Sequence, residues 1–241
     1  MSETPSLSIV VPAYNEARRL PDTLARIAAY LAATPEFLPA EVIVADDGSS
    51  DGTGAVAEAA QAPAGVVVRL VTLPRNRGKG AAVRAGMAAS RGLRVLVTDA
   101  DLAAPIEDLA ALAAAGAHVA VGSRALRREL ISRRQPLPRD YLGRLFNHAL
   151  RSLGLTRFRD TQCGFKLLDG DLARRLAGEL RLDGFAFDVE LLARARRAGA
   201  TLAEVPVRWH HVDGSRVRPL RHGLRMLVDS LRVRLWLWTG G

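Results

Sequence analysis

Val42-Ile43-Val44-Ala45-Asp46-Asp47-Gly48-Ser49-Ser50-Asp51-Gly52-Thr53 passes from an unbroken apolar run into two carboxylates, then a glycine- and serine-rich turn. A short apolar run bounded by turn residues reads as a buried strand, and Asp51 or Thr53 supplies an N-cap for a following helix. The same order recurs along the chain. Ser8–Val11, Val66–Val71, Arg94–Thr98 and Val119–Gly122 are further expected strands. Leu20, Leu24, Ile27, Ala28 and Leu31 form an apolar helical face between the first two, and Ala81–Arg91 and Ile106–Ala115 are expected helices. Strands alternating with helices predict an α/β fold, a mostly parallel central sheet flanked by helices. Beyond Gly122 the alternation loosens, with helices expected over Tyr141–Leu153 and Ala186–Arg197 and a strand near Ala203–Trp209.

In such a sheet ligands bind beyond the carboxyl ends of the strands, so the residues that end each strand carry the chemistry. Four polar ends follow one another: Pro12-Ala13-Tyr14-Asn15-Glu16, Asp46-Asp47-Gly48-Ser49, Asn76-Arg77-Gly78-Lys79-Gly80 and Asp99-Ala100-Asp101. Asp99 and Asp101 place two hard oxygen donors about one strand end. That donor type suits Mg²⁺ or Mn²⁺, which keep waters and bridge to phosphate oxygens; the plainer alternative is a solvated acidic turn. Lys79 offers charge to a nucleotide phosphate, or else belongs to a simple helix-start turn. A P-loop ATPase is set aside because G-x-x-x-x-G-K-[S/T] is missing, and a dinucleotide oxidoreductase because no G-x-G-x-x-G follows the first strand.

The chain has 241 residues and is 49% hydrophobic, enough for one domain with a substantial core. Its net charge of +9, mostly from arginine, suits phosphates, nucleic acids or anionic membranes. Aromatics are only 5% and an RNP-type motif is missing, which argues against nucleic acid. Cys163 is the single cysteine, so an internal disulfide is excluded and packing is its expected role. Neither a cleaved signal peptide nor a run of about 18 apolar residues is found, so a cytoplasmic location with peripheral membrane contact is expected. Over Pro219–Trp238, Leu220, Leu224, Leu227, Val228, Leu231, Leu235 and Trp238 recur at helical spacing beside Arg218, Arg221, Arg225 and Arg232. This basic amphipathic helix either lies in a membrane interface or packs on the domain.

The blocks S-I-V-V-P-A-Y-N-E, A-D-D-G-S-S-D-G-T, N-R-G-K-G-A-A-V-R and D-A-D resemble, in order and spacing, the nucleotide-sugar half of family 2 glycosyltransferases. Downstream, Gly122-Ser123-Arg124, Asp160-Thr161-Gln162-Cys163-Gly164-Phe165-Lys166, Phe185–Glu190 and Trp209-x-x-x-x-Gly214-Ser215-Arg216 resemble the dolichyl-phosphate β-glucosyltransferase branch. The resemblance implies a GT-A fold, with a nucleotide-sugar half over about 7–122 and an acceptor half over about 123–218. It implies that Pro12, Ala13, Tyr14, Glu16, Val44 and Asp46 bind a uridine nucleotide, with Lys79, Asp99 and Ala100 beside the donor. Asp101 would be the direct metal ligand and Asp99 would hold metal, its waters or the sugar. Ala103 stands where related mannosyltransferases often have a further polar metal contact, which favours the glucosyl branch.

The implied reaction passes a hexose, glucose favoured, from a UDP-sugar, UDP-glucose favoured and UDP-GlcNAc, UDP-galactose and GDP-mannose the alternative donors, to a polyprenyl phosphate. A phosphate monoester, whose second pKa is about 6, is itself a sufficient nucleophile. Arg124 and Arg139 match acceptor-phosphate arginines of related enzymes, with Lys166 and Arg216 added to them. Asp101, Arg124 and Asp188 are the expected catalytic set. Asp188, weighed together with Glu190, is either a base or sugar ligand or else a structural residue. Transfer to a small soluble phosphorylated acceptor is the alternative reaction, and a non-enzymatic polyanion-binding protein the distant one.

Overall fold

The computed structural model describes residues 4–133, 137–210 and 219–239. The elements are β1 (Leu7–Ala13), α1 (Leu20–Ala33), β2 (Ala40–Asp46), α2 (Thr53–Glu58), β3 (Val66–Thr72), α3 (Lys79–Ala89), β4 (Arg94–Val97) and α4 (Leu109–Ala114). They continue with β5 (Val119–Ser123), β6 (Ile131–Arg133), α5 (Leu137–Ser152), β7 (Lys166–Asp169), α6 (Gly170–Glu179), α7 (Phe187–Arg197), β8 (Leu202–Pro206), β9 (Trp209–His210) and α8 (Pro219–Thr239). Seven strands form one sheet in the order β3-β2-β1-β4-β7-β5-β8, and β6 pairs with β9 apart from it. All neighbouring pairs of the main sheet are parallel except those of β7, which runs antiparallel to both β4 and β5.

Alternation of side chains along each strand divides the core into two layers. Ile9, Val11, Val42, Val44 and Leu96 face Leu20, Leu24, Ile27 and Leu31 of α1. Val10, Ile43, Ala45, Val95 and Val97 face Ala82, Val83 and Met87 of α3 and the apolar sides of α6 and α7. Because both faces are covered, all seven residues of β2 are buried, which is why Val42–Ala45 reads as a continuous apolar run.

The five expected strands and the helices of the first half are present. Ile106–Ala115 divides into a 3-10 turn, Ile106–Asp108, and the short α4. The strand expected near Ala203–Trp209 divides as well: β8 stops at Pro206, which lacks the N–H a ladder needs, and β9 resumes at Trp209 beside β6. Three elements lie outside the expected ones: the short β6, and β7 and α6. β7 is Lys-Leu-Leu-Asp, too short for a periodic signal, and α6 follows it without a loop, started by Asp169 accepting from the N–H groups of Asp171 and Leu172.

β2 carries two buried acids, Glu41 near its start and Asp46 at its end. The Glu41 carboxylate accepts from the Ser8 hydroxyl and the Arg91 N–H, both at 2.6 Å, and from Arg69 Nη1 at 2.7 Å. Burial pushes this carboxyl up, but the hydrogen bonds from Ser8, Arg69 and Arg91 outweigh burial and hold it below its ordinary value of 4.5. A depressed folded-state pKa contributes stability that is present above that value and lost as pH falls through the folded pKa. Glu41→Gln is therefore expected to cost about 1–3 kcal/mol near neutral pH. Urea titrations of both proteins should show that difference shrinking as pH drops below 4.5.

Candidate functional site

β1 lies between β2 and β4, so the chain winds outward in opposite directions from it and leaves a crevice at the carboxyl edge. The loops after β1 and β2 close one wall of this crevice by binding each other. Asn15 N–H donates to Ser49 Oγ at 2.8 Å, Ser50 N–H to Asn15 Oδ1 at 2.9 Å, Glu16 N–H to Thr53 Oγ1 at 2.8 Å, and Ala17 N–H to Asp51 Oδ2 at 3.1 Å. Asp51 also accepts from the Thr53 N–H, but the cap of α2 expected at Asp51 or Thr53 is Gly52, with no side-chain cap. Asp46 Oδ1 accepts from the Ser49 N–H at 3.0 Å. Pro12, Tyr14 and Glu16 are partly exposed on this wall, whereas Ala13 is buried and Val44 lies wholly in the core two residues inside β2. The Val44 side chain backs the strand end instead of lining an open surface.

The loop before α3 is held by two acids. Asp47 accepts from the N–H groups of Arg77 at 2.8 Å and Gly78 at 2.7 Å, and from Asn76 Nδ2 at 2.9 Å. The Asp183 carboxylate binds Arg77 at 2.9 Å and Arg84 at 2.6 Å, while its carbonyl accepts from the Gly80 N–H at 2.8 Å. Gly78 has φ +122°, and a Cβ there would meet the Asp183 carbonyl at 2.5 Å, so no other residue fits. The loop thereby delivers Lys79, the first residue of α3, with its ammonium 2.5 Å from Asp99 Oδ1 and 5.9 Å from the Phe187 ring centroid.

Lys79 joins a string of charges. Asp188, the second residue of α7, accepts from Lys166 Nζ at 2.6 Å, and the same ammonium donates to the Cys163 carbonyl. Burial opposes the charge on Lys79, but Asp99, Asp188 and Asp101 together raise its pKa. The Asp101 carboxyl is pushed up by burial and by the Asp99 charge, against hydrogen bonding from the Ala103 N–H at 3.0 Å. Burial likewise pushes Asp188 up while Lys166 and Lys79 oppose it.

Two carboxylates whose charges conflict make a fitting receptor for a divalent cation. Among the described residues no group of three or more His, Cys, Asp or Glu could hold a metal. Asp99 and Asp101 are oxygen donors of the type that suits Mg²⁺ or Mn²⁺, whose other positions water and phosphate oxygens would have to fill. Ala100, between the two acids, is buried with its carbonyl accepting from Thr23 Oγ1 at 2.5 Å.

Arg124, just after β5, forms a fork with Asp160, Nε to Oδ2 at 2.6 Å and Nη2 to Oδ1 at 2.8 Å, and lies 5.6 Å from the Trp209 ring centroid. Lys166, expected at the acceptor phosphate, is 1% exposed with its charge already met by Asp188. Glu190, weighed with Asp188 as a base, is a structural residue: it accepts from the Arg181 and Leu182 N–H groups and from Arg194 Nε. Arg139 is in α5, its side chain outside the described set, and Arg216 lies outside the described residues. Asp47, Asp160 and Asp183 were not singled out from sequence. Each stands in or beside a quoted motif, but its partners lie about 30, 36 and 100 residues away.

Cys163 is buried, its thiol pushed up to about 11 by burial, in keeping with packing. The adjacent Gly164 is constrained by the site itself, since a Cβ there would lie 2.1 Å from Asp99 Oδ2. Gly164→Ala must displace Asp99 or the β7 approach. It is expected to destabilise the fold by about 1–3 kcal/mol in thermal or urea unfolding, and to weaken Mn²⁺ binding measured by calorimetry. Unchanged Mn²⁺ affinity would separate Asp99 from the metal.

Residues 8–176 match the family described as Glycosyl transferase family 2. Dolichyl-phosphate beta-glucosyltransferase of Mus musculus is 40% identical, with 99% of this chain and 78% of that protein covered. The Drosophila melanogaster protein of the same name is 40% identical over 97% and 76%, and that of Saccharomyces cerevisiae 31% over 95% and 74%. Among solved structures, mannosyl-3-phosphoglycerate synthase from Rubrobacter xylanophilus superposes with a TM-score of 0.69 at 18% identity, over 98% of this chain and 75% of that one. Glucosyl-3-phosphoglycerate synthase from Mycobacterium tuberculosis, in complex with Mn²⁺ and UDP-glucose, superposes with a TM-score of 0.64 at 22% identity, over 95% and 79%. These two share the GT-A fold. With the family match spanning residues 8–176 and relatives 40% identical over nearly the whole chain, the chain belongs to the family 2 glycosyltransferases.

Proposed function

We propose that this glycosyltransferase moves glucose from UDP-glucose to a polyprenyl phosphate of the dolichyl type, giving the β-glucosyl lipid phosphate with inversion. The observation that carries this reading is the meeting of Asp99, Asp101 and Lys79 at the switch-point edge. It occurs in a chain 40% identical to proteins named dolichyl-phosphate beta-glucosyltransferase.

Asp101, assisted by Asp99, would hold Mg²⁺ or Mn²⁺. When bound, the cation supplies positive charge that neutralises the diphosphate as it leaves. The laced loops carrying Tyr14, Glu16 and Asp46 form the nucleotide wall, and Lys79 adds a cation beside the sugar diphosphate. A phosphate oxygen of the acceptor attacks the anomeric carbon as the bond to UDP breaks, and UDP departs with the electron pair. The acceptor is already largely dianionic at neutral pH, so alignment matters more than proton removal. Asp188 accordingly acts through Lys166 and Lys79 as a positioning residue.

Arg124 meets the acceptor phosphate, its fork set in advance by Asp160. Residues 7–122 serve the donor, 123–218 the acceptor. Among the described residues no helix is long and apolar enough to cross a membrane, and this reading has the protein working peripherally at the cytoplasmic face.

The reading is tested by incubating the protein with radiolabelled UDP-glucose, Mn²⁺ and a short-chain polyprenyl phosphate. Label extracted into butanol supports it; label passing only to a water-soluble acceptor such as phosphoglycerate overturns it. In that assay Asp101→Ala is expected to reduce transfer on the order of a hundredfold or more and to abolish the Mn²⁺-dependent part of UDP binding in calorimetry. Asp99→Ala should retain some of that binding, and full activity of Asp101→Ala sinks the proposed site.

Arg124→Ala would leave Asp160 buried and unpaired, a loss of about 3–5 kcal/mol that confuses folding with catalysis. Arg124→Lys keeps the charge but loses the fork. It is expected to raise the acceptor KM by roughly ten- to a hundredfold with UDP affinity unchanged. An equal fall in UDP affinity would move Arg124 to the donor side.

A further inference from the structure

We propose that the outward face of α8 is a docking surface for an anionic phospholipid bilayer. α8 is fixed to the domain by one side. Ser230 and Val233 are buried there, and Met226, Trp236 and Leu237 pack against the core. Arg181 stacks on Trp236 at 5.2 Å, Arg197 donates to the Leu237 carbonyl, and Arg234 donates to the Leu153 carbonyl. This packing side is not the apolar stripe that the sequence displays.

That stripe points the other way. Leu224, Val228, Leu231, Leu235 and Trp238 recur at steps of four and three residues, which at about 100° per residue keeps them on one line down the helix. All five are exposed, from 43% for Val228 to 85% for Trp238. Packing on the domain and presenting an apolar face therefore coexist in one helix. A continuous exposed apolar stripe on a helix anchored from behind marks an interaction surface.

The charges choose the occupant. By the same helical angle Arg225 and Arg232 border the stripe on one side, and Arg234, exposed although one of its amino groups donates to the Leu153 carbonyl, on the other. The side chains of Arg225 and Arg232 are 79% and 60% exposed. Asp229 is the only acid between Pro219 and Thr239, and it is buried beneath these two arginines, bonding Arg232 at 2.9 Å. The outward face thus consists of apolar side chains rimmed by cations with no anion among them. Acyl chains surrounded by anionic headgroups complement that pattern, with Trp238 suited to the boundary between them. A second copy of the same face complements it poorly, because a two-fold pairing sets arginine borders against each other.

The binding stands on the geometry of α8; its purpose, bringing the site to a lipid acceptor, rests on the function proposed above. The full chain and the double variant Leu231→Glu/Leu235→Glu would be sedimented with vesicles of phosphatidylcholine alone and with about 30% phosphatidylglycerol, at about 0.1 and 0.5 M salt. Both replaced positions are exposed, and circular dichroism and thermal melts confirm the fold of the variant. The expected result is binding of the full chain to anionic vesicles, weakened by salt, and roughly tenfold or more weaker in the variant. Transfer to a water-soluble short-chain polyprenyl phosphate should be equal in the two proteins, while transfer to a long-chain acceptor embedded in vesicles should fall in the variant. No vesicle binding by the full chain, or equal binding by a folded variant, overturns the proposal. So does a dimer seen by light scattering that the double substitution dissolves without any vesicle binding. Vesicle binding that behaves as expected, with no transfer to either prenyl acceptor, upholds the docking surface and overturns the proposed reaction instead.

Discussion

The ammonium of Lys79, 2.5 Å from Asp99, is the contact on which the rest of the site depends. Asp99, Asp101 and Asp188 all act on Lys79 electrostatically, and like charges so gathered and partly removed from water repel strongly. Lys79 and Lys166 offset most of that repulsion and leave the cluster short of positive charge. A divalent cation reverses the balance, and a nucleoside diphosphate restores it. On the proposed function, the cluster would receive a cation and an anion together, each making the other's place favourable.

The same arrangement explains why so many acids near the crevice bind the protein itself. Asp47 gathers the loop before α3, Asp183 fixes that loop from the far side, Asp160 sets Arg124, and Glu190 holds the turn before α7. A carboxylate accepting several N–H groups fixes a loop without adding bulk near a ligand. Gly78 and Gly164 serve the same end by letting backbone approach where any side chain would collide. Rigidity of the crevice therefore comes from charged hydrogen bonds at its edge more than from its apolar floor.

The sequence made the donor half legible because each strand there is a continuous apolar run ending in a polar loop, and β1 to β4 stand where those runs predict. Asp99, Asp101 and Lys79 could be named since short motifs announce them. Their mutual contact could not be seen, because α3 and β4 meet only through the winding of the sheet. The acceptor half was harder to read. β7 has only two apolar residues, each facing a different layer, so no period marks it. Lys166 looked like a phosphate ligand because its partner, Asp188, is 22 residues away and invisible to spacing. In α8 the apolar pattern gave the correct helix, but the exposed face is the more apolar one, and pattern alone assigns such a face to the interior.

The reversed strand β7 has a mechanical consequence. It bonds along one edge to β4, which carries Asp99 and Asp101 on its outgoing segment, and along the other to β5, whose last residue, Ser123, precedes Arg124. Starting where β4 stops, it sets Lys166 at the rim from which the parallel strands depart. The donor and acceptor halves consequently share one hydrogen-bonded ribbon and cannot swing apart as two jaws around a hinge. On the proposed function, the distance between the attacking and departing groups would then follow from the spacing of strands in a sheet, and passage of substrate and product would fall to the loops at its rim.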